Sequence, residues 1–130
     1  MKKNILWILL IMMLLSACTQ EAENSREAEF VTITAQEARQ IMDTQQGYVI
    51  LDVREQDEYD TGHIPGAILI PHMQIADLAE EKLTDKDQLI LVYCRSGRRS
   101  KLAAQALVDL GYTNIKEFGG IIDWPYEVEK

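Results

Sequence analysis

Cys94-Arg95-Ser96-Gly97-Arg98-Arg99-Ser100 gathers one thiol, three guanidinium groups and a glycine into seven residues. An apolar run that reads as a strand, Gln88–Tyr93, leads into it. A helical run from about Lys101 to Leu110, stopped by Gly111 as a C-terminal glycine cap, leads out of it. That order aims a thiol, successive backbone N–H groups and the positive end of a helix at one point. Such a point binds anions and favours the thiolate, the nucleophilic form of cysteine. Gly97 permits the tight turn with φ > 0 that lets neighbouring N–H groups face inward. Arg95, Arg98 and Arg99 supply a positive field for an anionic substrate, and planar guanidinium groups match oxyanions. The sequence leaves open which of the three face the substrate. A lone cysteine is more often a buried structural thiol, but an apolar burial site would not be lined with three arginines.

The elements that must position this loop alternate between strand and helix signals, which predicts an α/β fold with a five-stranded, mainly parallel sheet. Phe30–Ile33 reads as the first strand. Thr34-Ala35-Gln36-Glu37 is a capping-box pattern opening a helix to about Thr44, with Ala38, Ile41 and Met42 on its inner face. Tyr48–Val53 is too apolar for a half-exposed strand and reads as a central one. A short helix over Gln56–Tyr59, a strand over Ala67–Ile70 and a helix over Ala76–Leu83 follow. Ile115–Phe118 completes the sheet, Gly119-Gly120 turns the chain towards the active edge, and Ile121–Trp124 forms a last helical turn. Asp52 falls at the carboxyl end of a parallel strand, the edge where α/β sheets place ligands. There it either orients a loop arginine or pairs structurally with Arg54. His63 lies in a turn bounded by Gly62 and Pro65, expected to pack and hydrogen-bond near the site. The two histidines have no paired spacing and give no metal-site signal.

The Cys94–Ser100 loop resembles the active-site loop of rhodanese-type sulfurtransferases. Three further stretches match that family in order: Leu51-Asp52-Val53-Arg54-Glu55, Gly62-His63-Ile64-Pro65-Gly66-Ala67, and Gly119-Gly120 with Trp124. The resemblance spans about residues 30 to 128, one single-domain rhodanese, and implies that fold with helices on both faces of the sheet. It also implies a mechanism. Cys94 takes the outer sulfur of a small anionic donor such as thiosulfate or polysulfide, holds it as a persulfide, and passes it to cyanide, a thiol or a protein sulfur acceptor. Arg95, Ser96, Gly97, Arg98, Arg99 and Ser100 would bind the substrate, Asp52, Arg54 and His63 would support the site, and no metal or organic cofactor is needed. Cysteine phosphatases and some arsenate reductases carry Cys-x5-Arg. Here Cys94 to Arg99 is Cys-x4-Arg, a smaller cradle that suits a sulfane sulfur better than a phosphate ester. A non-catalytic rhodanese-like module, binding a partner or relaying sulfur, is the other alternative. It has less reason to keep a reactive cysteine among arginines.

The amino terminus carries a separate signal. Met1-Lys2-Lys3 is followed by the apolar run Ile5–Leu15 and then by Ser16-Ala17-Cys18. This is the charged start, short apolar core and small-residue boundary of a secretory signal. The run is short for a spanning helix, which needs about 20 apolar residues. Its ending resembles a bacterial lipobox, which implies cleavage after residue 17, a diacylglycerol thioether on Cys18, further acylation such as palmitate, and an extracytoplasmic protein anchored to a membrane. Residues 18–28 would then form the lipidated cysteine and a flexible acidic tether, and 29–130 the rhodanese domain that the resemblance implies. With Cys18 blocked, Cys94 remains the one thiol.

Net charge is −8, and loss of Lys2 and Lys3 with the signal leaves −10. So acidic a chain argues against nucleic acid as a partner and makes the basic loop stand out locally. The acidic stretches Glu55–Asp60 and Glu80–Asp87 read as solvated faces. Nothing resembles a dimer seam, and a monomer is expected.

Overall fold

The computed structural model describes residues 29–130. The expected signal 1–17, Cys18 and the tether up to residue 28 lie outside the described residues. Five strands form one sheet: β1 (Val31–Thr32), β2 (Val49–Asp52), β3 (Ile68–Leu69), β4 (Ile90–Cys94) and β5 (Ile115–Gly120). Their order across the sheet is β1-β5-β4-β2-β3 and every pairing is parallel. Parallel strands need crossovers, and helices supply them: α1 (Ala35–Thr44), α2 (Gln56–Thr61), α3 (Ile75–Lys82) and α4 (Arg98–Asp109), with short 3-10 turns at His72–Gln74 and Ile121–Asp123. All five carboxyl ends therefore share one edge.

β4 is the middle strand and is buried along its whole length. Its alternate side chains enter different cores. Ile90, Val92 and Cys94 join Leu51, Ile115 and the inner faces of α3 and α4, whereas Leu91 and Tyr93 join Ile50, Phe118, Trp124 and α1. Covering both faces with helices explains why β2 and β4 read as unbroken apolar runs. β2 lies one place from the middle, between β4 and β3.

Local chemistry sets most boundaries. Thr34 caps α1 as a capping box, its Oγ1 accepting from the Glu37 N–H at 3.0 Å while its own N–H donates to Glu37 Oε2 at 2.8 Å. Ala38 and Ile41 are buried on the inner face, and Met42 is partly so. Most boundaries move by one or two residues from the sequence reading, and α2 runs on to Thr61; two differences bear on the loop. α4 begins at Arg98, three residues earlier than expected, because Gly97 at φ +104° serves as its N-cap. Arg98, Arg99 and Ser100 are thereby helical. β5 runs through Gly119-Gly120, since Gly120 still pairs with Cys94 across a bulge.

Candidate active site

Cys94 is the last residue of β4 and is almost fully buried at the carboxyl edge of the sheet. The loop that follows wraps back on it, and the Gly97 N–H donates to Sγ at 3.0 Å. Burial pushes the Cys94 thiol up. The hydroxyl and N–H of Ser100 and the N–H groups of Gly97 and Ser96 act against it and leave the thiol below its ordinary value. The donors on the sulfur are therefore backbone and hydroxyl groups, and the Arg99 guanidinium lies near enough to interact with the Cys94 charge.

The floor of the cradle is the glycine pair on β5. Gly120 lies beside Cys94, and a Cβ built on it would fall 1.9 Å from the Arg95 carbonyl oxygen. The same carbonyl accepts from the Ile122 N–H at 3.2 Å. Gly119 takes φ +84° in the bulge that brings Gly120 level with Cys94. The loop thus touches backbone directly, an approach only glycine permits.

The three loop arginines separate. Arg99 points at α2, where its guanidinium grips Glu58 with two hydrogen bonds of 2.6 and 2.8 Å. Arg95 and Arg98 are exposed and form no ion pair among the described residues. Arg98 joins Lys101, Leu102, Phe30, Ser96 and Gly97 around a shallow groove of about 550 Å³ beside the loop. These two arginines are the loop cations free to meet an anion.

Arg99 holds the Glu58 carboxyl down at about 2, well below its ordinary 4.5. The folded value lies under the unfolded one, so the clasp contributes its full stability above pH 4.5 and loses it as pH falls towards about 2. Glu58→Gln is expected to cost about 1–2 kcal/mol at pH 7 and to leave stability less dependent on pH across that window. Urea unfolding at pH 7 and pH 3 measures both, and equal acid sensitivity in the two proteins would refute the clasp.

Asp52, Arg54 and His63 are gathered on the other side of β4. Asp52 is buried and takes hydrogen bonds from Arg54 Nε (3.0 and 3.1 Å to its two oxygens), Arg54 Nη2 (2.7 Å) and the Tyr93 hydroxyl (2.6 Å). Burial and the Asp52 carboxylate push the Tyr93 hydroxyl far above its ordinary range, so it stays a neutral donor. Arg54 Nη2 also reaches the Gly62 carbonyl at 2.7 Å, and Tyr93 Oη accepts from the Ile64 N–H at 3.0 Å. His63 stacks on Tyr59 with ring centroids 3.7 Å apart, and its Nδ1 lies 3.0 Å from the Tyr59 carbonyl. It also pairs backbone to backbone with Glu129. The network fixes the turn from Gly62 to Ala67 against β4, and its hydrogen bonds reach Tyr93 rather than the loop.

Sequence reasoning passed over Glu58 and Glu117. Glu58 sits among acidic neighbours that read as a solvated face, but it is partly buried where it meets Arg99 of the loop. Glu117 did leave a signal: it is an acid between Ile115 and Phe118 in an interior strand, where a charged side chain has no solvent to face.

Comparison with known proteins agrees with this geometry. A model of the Rhodanese-like domain matches residues 34–125. The putative sulfur carrier protein YrkF of Bacillus subtilis is 33% identical over 110 residues, covering 84% of this chain and 58% of its own length. An adenylyltransferase and sulfurtransferase of Candida albicans is 33% identical over 96 residues, but the match covers only 22% of it and 68% of this chain. The chain thus spans less than two thirds of either relative. The thiosulfate sulfurtransferase PspE of Escherichia coli is 36% identical over 73 residues, 56% of this chain and 70% of that protein. Among solved structures, an Escherichia coli rhodanese with anions superposes with a TM-score of 0.60 at 32% identity, covering 64% of this chain and 98% of its own. A thiosulfate sulfurtransferase from Pseudomonas aeruginosa reaches 0.69 at 30% identity, covering 77% of this chain and 20% of its own. A parallel five-stranded sheet, a thiol-bearing loop at its carboxyl edge and a family match across most of the described chain lead to one assignment: the chain belongs to the rhodanese-like domain family.

Proposed function

We propose that this protein is a sulfurtransferase that carries sulfane sulfur on Cys94. The observation that carries this reading is the cradle: a buried thiol, held below its ordinary value by N–H and hydroxyl donors, beneath a loop with two arginines that form no ion pair among the described residues. The Cys94 thiolate attacks the outer sulfur of thiosulfate, the S–S bond of the donor breaks, and sulfite leaves with the bonding pair. The enzyme retains Cys94–S–S⁻, whose terminal charge the loop N–H groups stabilise in the manner of an oxyanion hole. Cyanide or a thiolate then attacks the terminal sulfur, and Cys94 leaves as a thiolate. A low thiol pKa serves both steps, by populating the nucleophile and by making it a good leaving group. Arg95 and Arg98 draw an anionic donor towards the loop against a strongly acidic surface. The Escherichia coli thiosulfate sulfurtransferase and the Bacillus subtilis putative sulfur carrier motivate thiosulfate as a donor and a protein as one possible class of acceptor.

Incubating the protein briefly with thiosulfate, and separately with polysulfide, tests this by intact mass. One added sulfur that maps to Cys94 and is removed by cyanide is the expected result. No adduct from either donor on folded protein with a free thiol would overturn the reading.

The amino-terminal sequence supports a second part of the proposal: residues 1–17 are a lipoprotein signal and Cys18 a lipidated anchor holding the domain outside the cytoplasm. Cys18→Ser is expected to move the protein from the membrane to the soluble fraction. Retention in the membrane would refute lipid anchoring.

A further inference from the structure

Arg98, Lys101, Leu102 and Gln105 recur at three- and four-residue spacing along α4, and all four are exposed. They lie on the side of the helix opposite Ala103, Ala104 and Leu107, which enter the core. With Phe30, Ser96 and Gly97 they line the groove of about 550 Å³ beside the active loop. Leu102 is 52% exposed there, and Phe30 is only partly covered by the core it packs against. No aspartate or glutamate lines the groove, and neither Arg98 nor Lys101 forms an ion pair among the described residues. The grooves around Arg39 and Lys82 differ, for each sets an acid in the same lining, Asp43 and Glu55 respectively. On a chain of net charge −8, two uncompensated cations above apolar carbon are a local exception. The groove ends at Ser96 and Gly97, and the Gly97 N–H donates to Cys94 Sγ. A ligand lying along it therefore ends at the loop that holds the sulfur. Thiosulfate and cyanide are too small to span this length and have no apolar surface to cover Phe30 and Leu102.

We propose that this groove docks the sulfur acceptor, and that the acceptor is a protein whose cysteine lies in an acidic segment beside an apolar side chain. Carboxylates of the segment meet Arg98 and Lys101, and the apolar side chain covers Phe30 and Leu102. The acceptor thiolate attacks the terminal sulfur of Cys94–S–S⁻. The bond between that sulfur and Cys94 Sγ breaks, Cys94 leaves as a thiolate, and the acceptor keeps the persulfide. The acidic surface elsewhere repels such a segment, so charge selects the face as well as the partner. The proposal rests on the sulfurtransferase reading and adds to it the class of acceptor.

Discharge of preformed persulfide tests it. The purified chain is loaded with thiosulfate, freed of donor, and mixed with the peptide acetyl-Glu-Leu-Cys-Glu-amide or its counterpart with lysine for each glutamate. Intact mass follows loss of the added sulfur. At low ionic strength Lys101→Glu is expected to slow discharge by the acidic peptide about tenfold and to speed discharge by the lysine peptide about threefold. Opposite signs separate docking from general damage to the site, and each variant-to-parent ratio cancels differences in thiol reactivity between peptides. Both effects should largely vanish in about 1 M salt. Leu102→Gln should slow the acidic peptide about threefold and a peptide with glycine for leucine less than about 1.5-fold. Both substituted residues are exposed, so the fold is expected to survive either change. Discharge indifferent to Lys101→Glu would overturn the proposal and leave the sulfurtransferase reading intact. Faster discharge by the acidic peptide would also overturn it, as it would mean that Glu21, Glu23 and Glu27 of the chain itself fill the groove. Failure to form any persulfide at the loading step would sink the sulfurtransferase reading, and this acceptor with it.

Discussion

Cys94→Ser is expected to reduce transfer of sulfur from thiosulfate to cyanide by at least about 10⁴-fold while changing stability by no more than about 1 kcal/mol. The two effects separate because the cradle and the nucleophile are different parts of the molecule. A serine Oγ at residue 94 still accepts from the Gly97 N–H, so no buried donor is orphaned, and the apolar neighbours Val92 and Ala103 keep their packing. The hydroxyl, however, is not ionised by donors that suffice for a thiol, and oxygen cannot hold a transferable sulfur atom. Thiocyanate formation and a melting curve on the same preparation read both quantities. Residual turnover well above background would mean that another group carries the sulfur. A large loss of stability would mean that the thiol is structural.

The sequence made the nucleophile and its setting legible because both depend on local chemistry. An apolar run ends in cysteine, a glycine follows three residues later, and an amphipathic run begins, so the strand, the turn at Gly97 and the helix beyond it follow from nearest neighbours. The capping box at Thr34 and the glycine after α4 are local in the same way, and Gly111 does take φ +92° there. What was not legible depends on which strands become neighbours. The Arg99–Glu58 clasp joins residues 41 apart in sequence, and the Ser100–Glu117 contact joins residues 17 apart across α4 and β5. Neither spacing is periodic. The Asp52–Arg54 contact spans two residues, but its reach to Tyr93 depends on β2 pairing with β4. The division of labour among the three arginines was hidden for the same reason: Arg99 differs from Arg98 only in facing α2.

Gly120→Ala is expected to damage both the site and the fold, by an entirely different route from loss of the nucleophile. Gly120 has ordinary extended backbone, φ −129° and ψ 154°, so alanine meets no conformational penalty of its own. The obstacle is contact. The new methyl would lie 1.9 Å from the Arg95 carbonyl oxygen, 2.3 Å from its carbon and 2.5 Å from the Ser96 nitrogen, all of them backbone atoms. They cannot rotate aside as a side chain could, and the Ile122 N–H holds the same carbonyl from beyond. Either the loop lifts or β5 moves away from β4. Lifting the loop displaces the Ser96 and Gly97 N–H groups from the sulfur, and about 1 Å of misplacement costs on the order of 10²-fold in rate. Overpacking should also cost about 1–3 kcal/mol. Gly119→Ala is the informative partner: beyond its chain neighbours no atom of the described residues lies within 4 Å of its added Cβ, so its cost comes from holding a non-glycine residue at φ +84°, about 1–2 kcal/mol. Sulfur transfer, the pH midpoint of Cys94 alkylation and melting temperature measured on both variants distinguish collision from strain. Gly120→Ala should raise the Cys94 midpoint as donors leave the sulfur, whereas Gly119→Ala should mainly lower stability. A Gly120→Ala protein with unchanged thiol chemistry would show that the cradle does not depend on the β4–β5 contact.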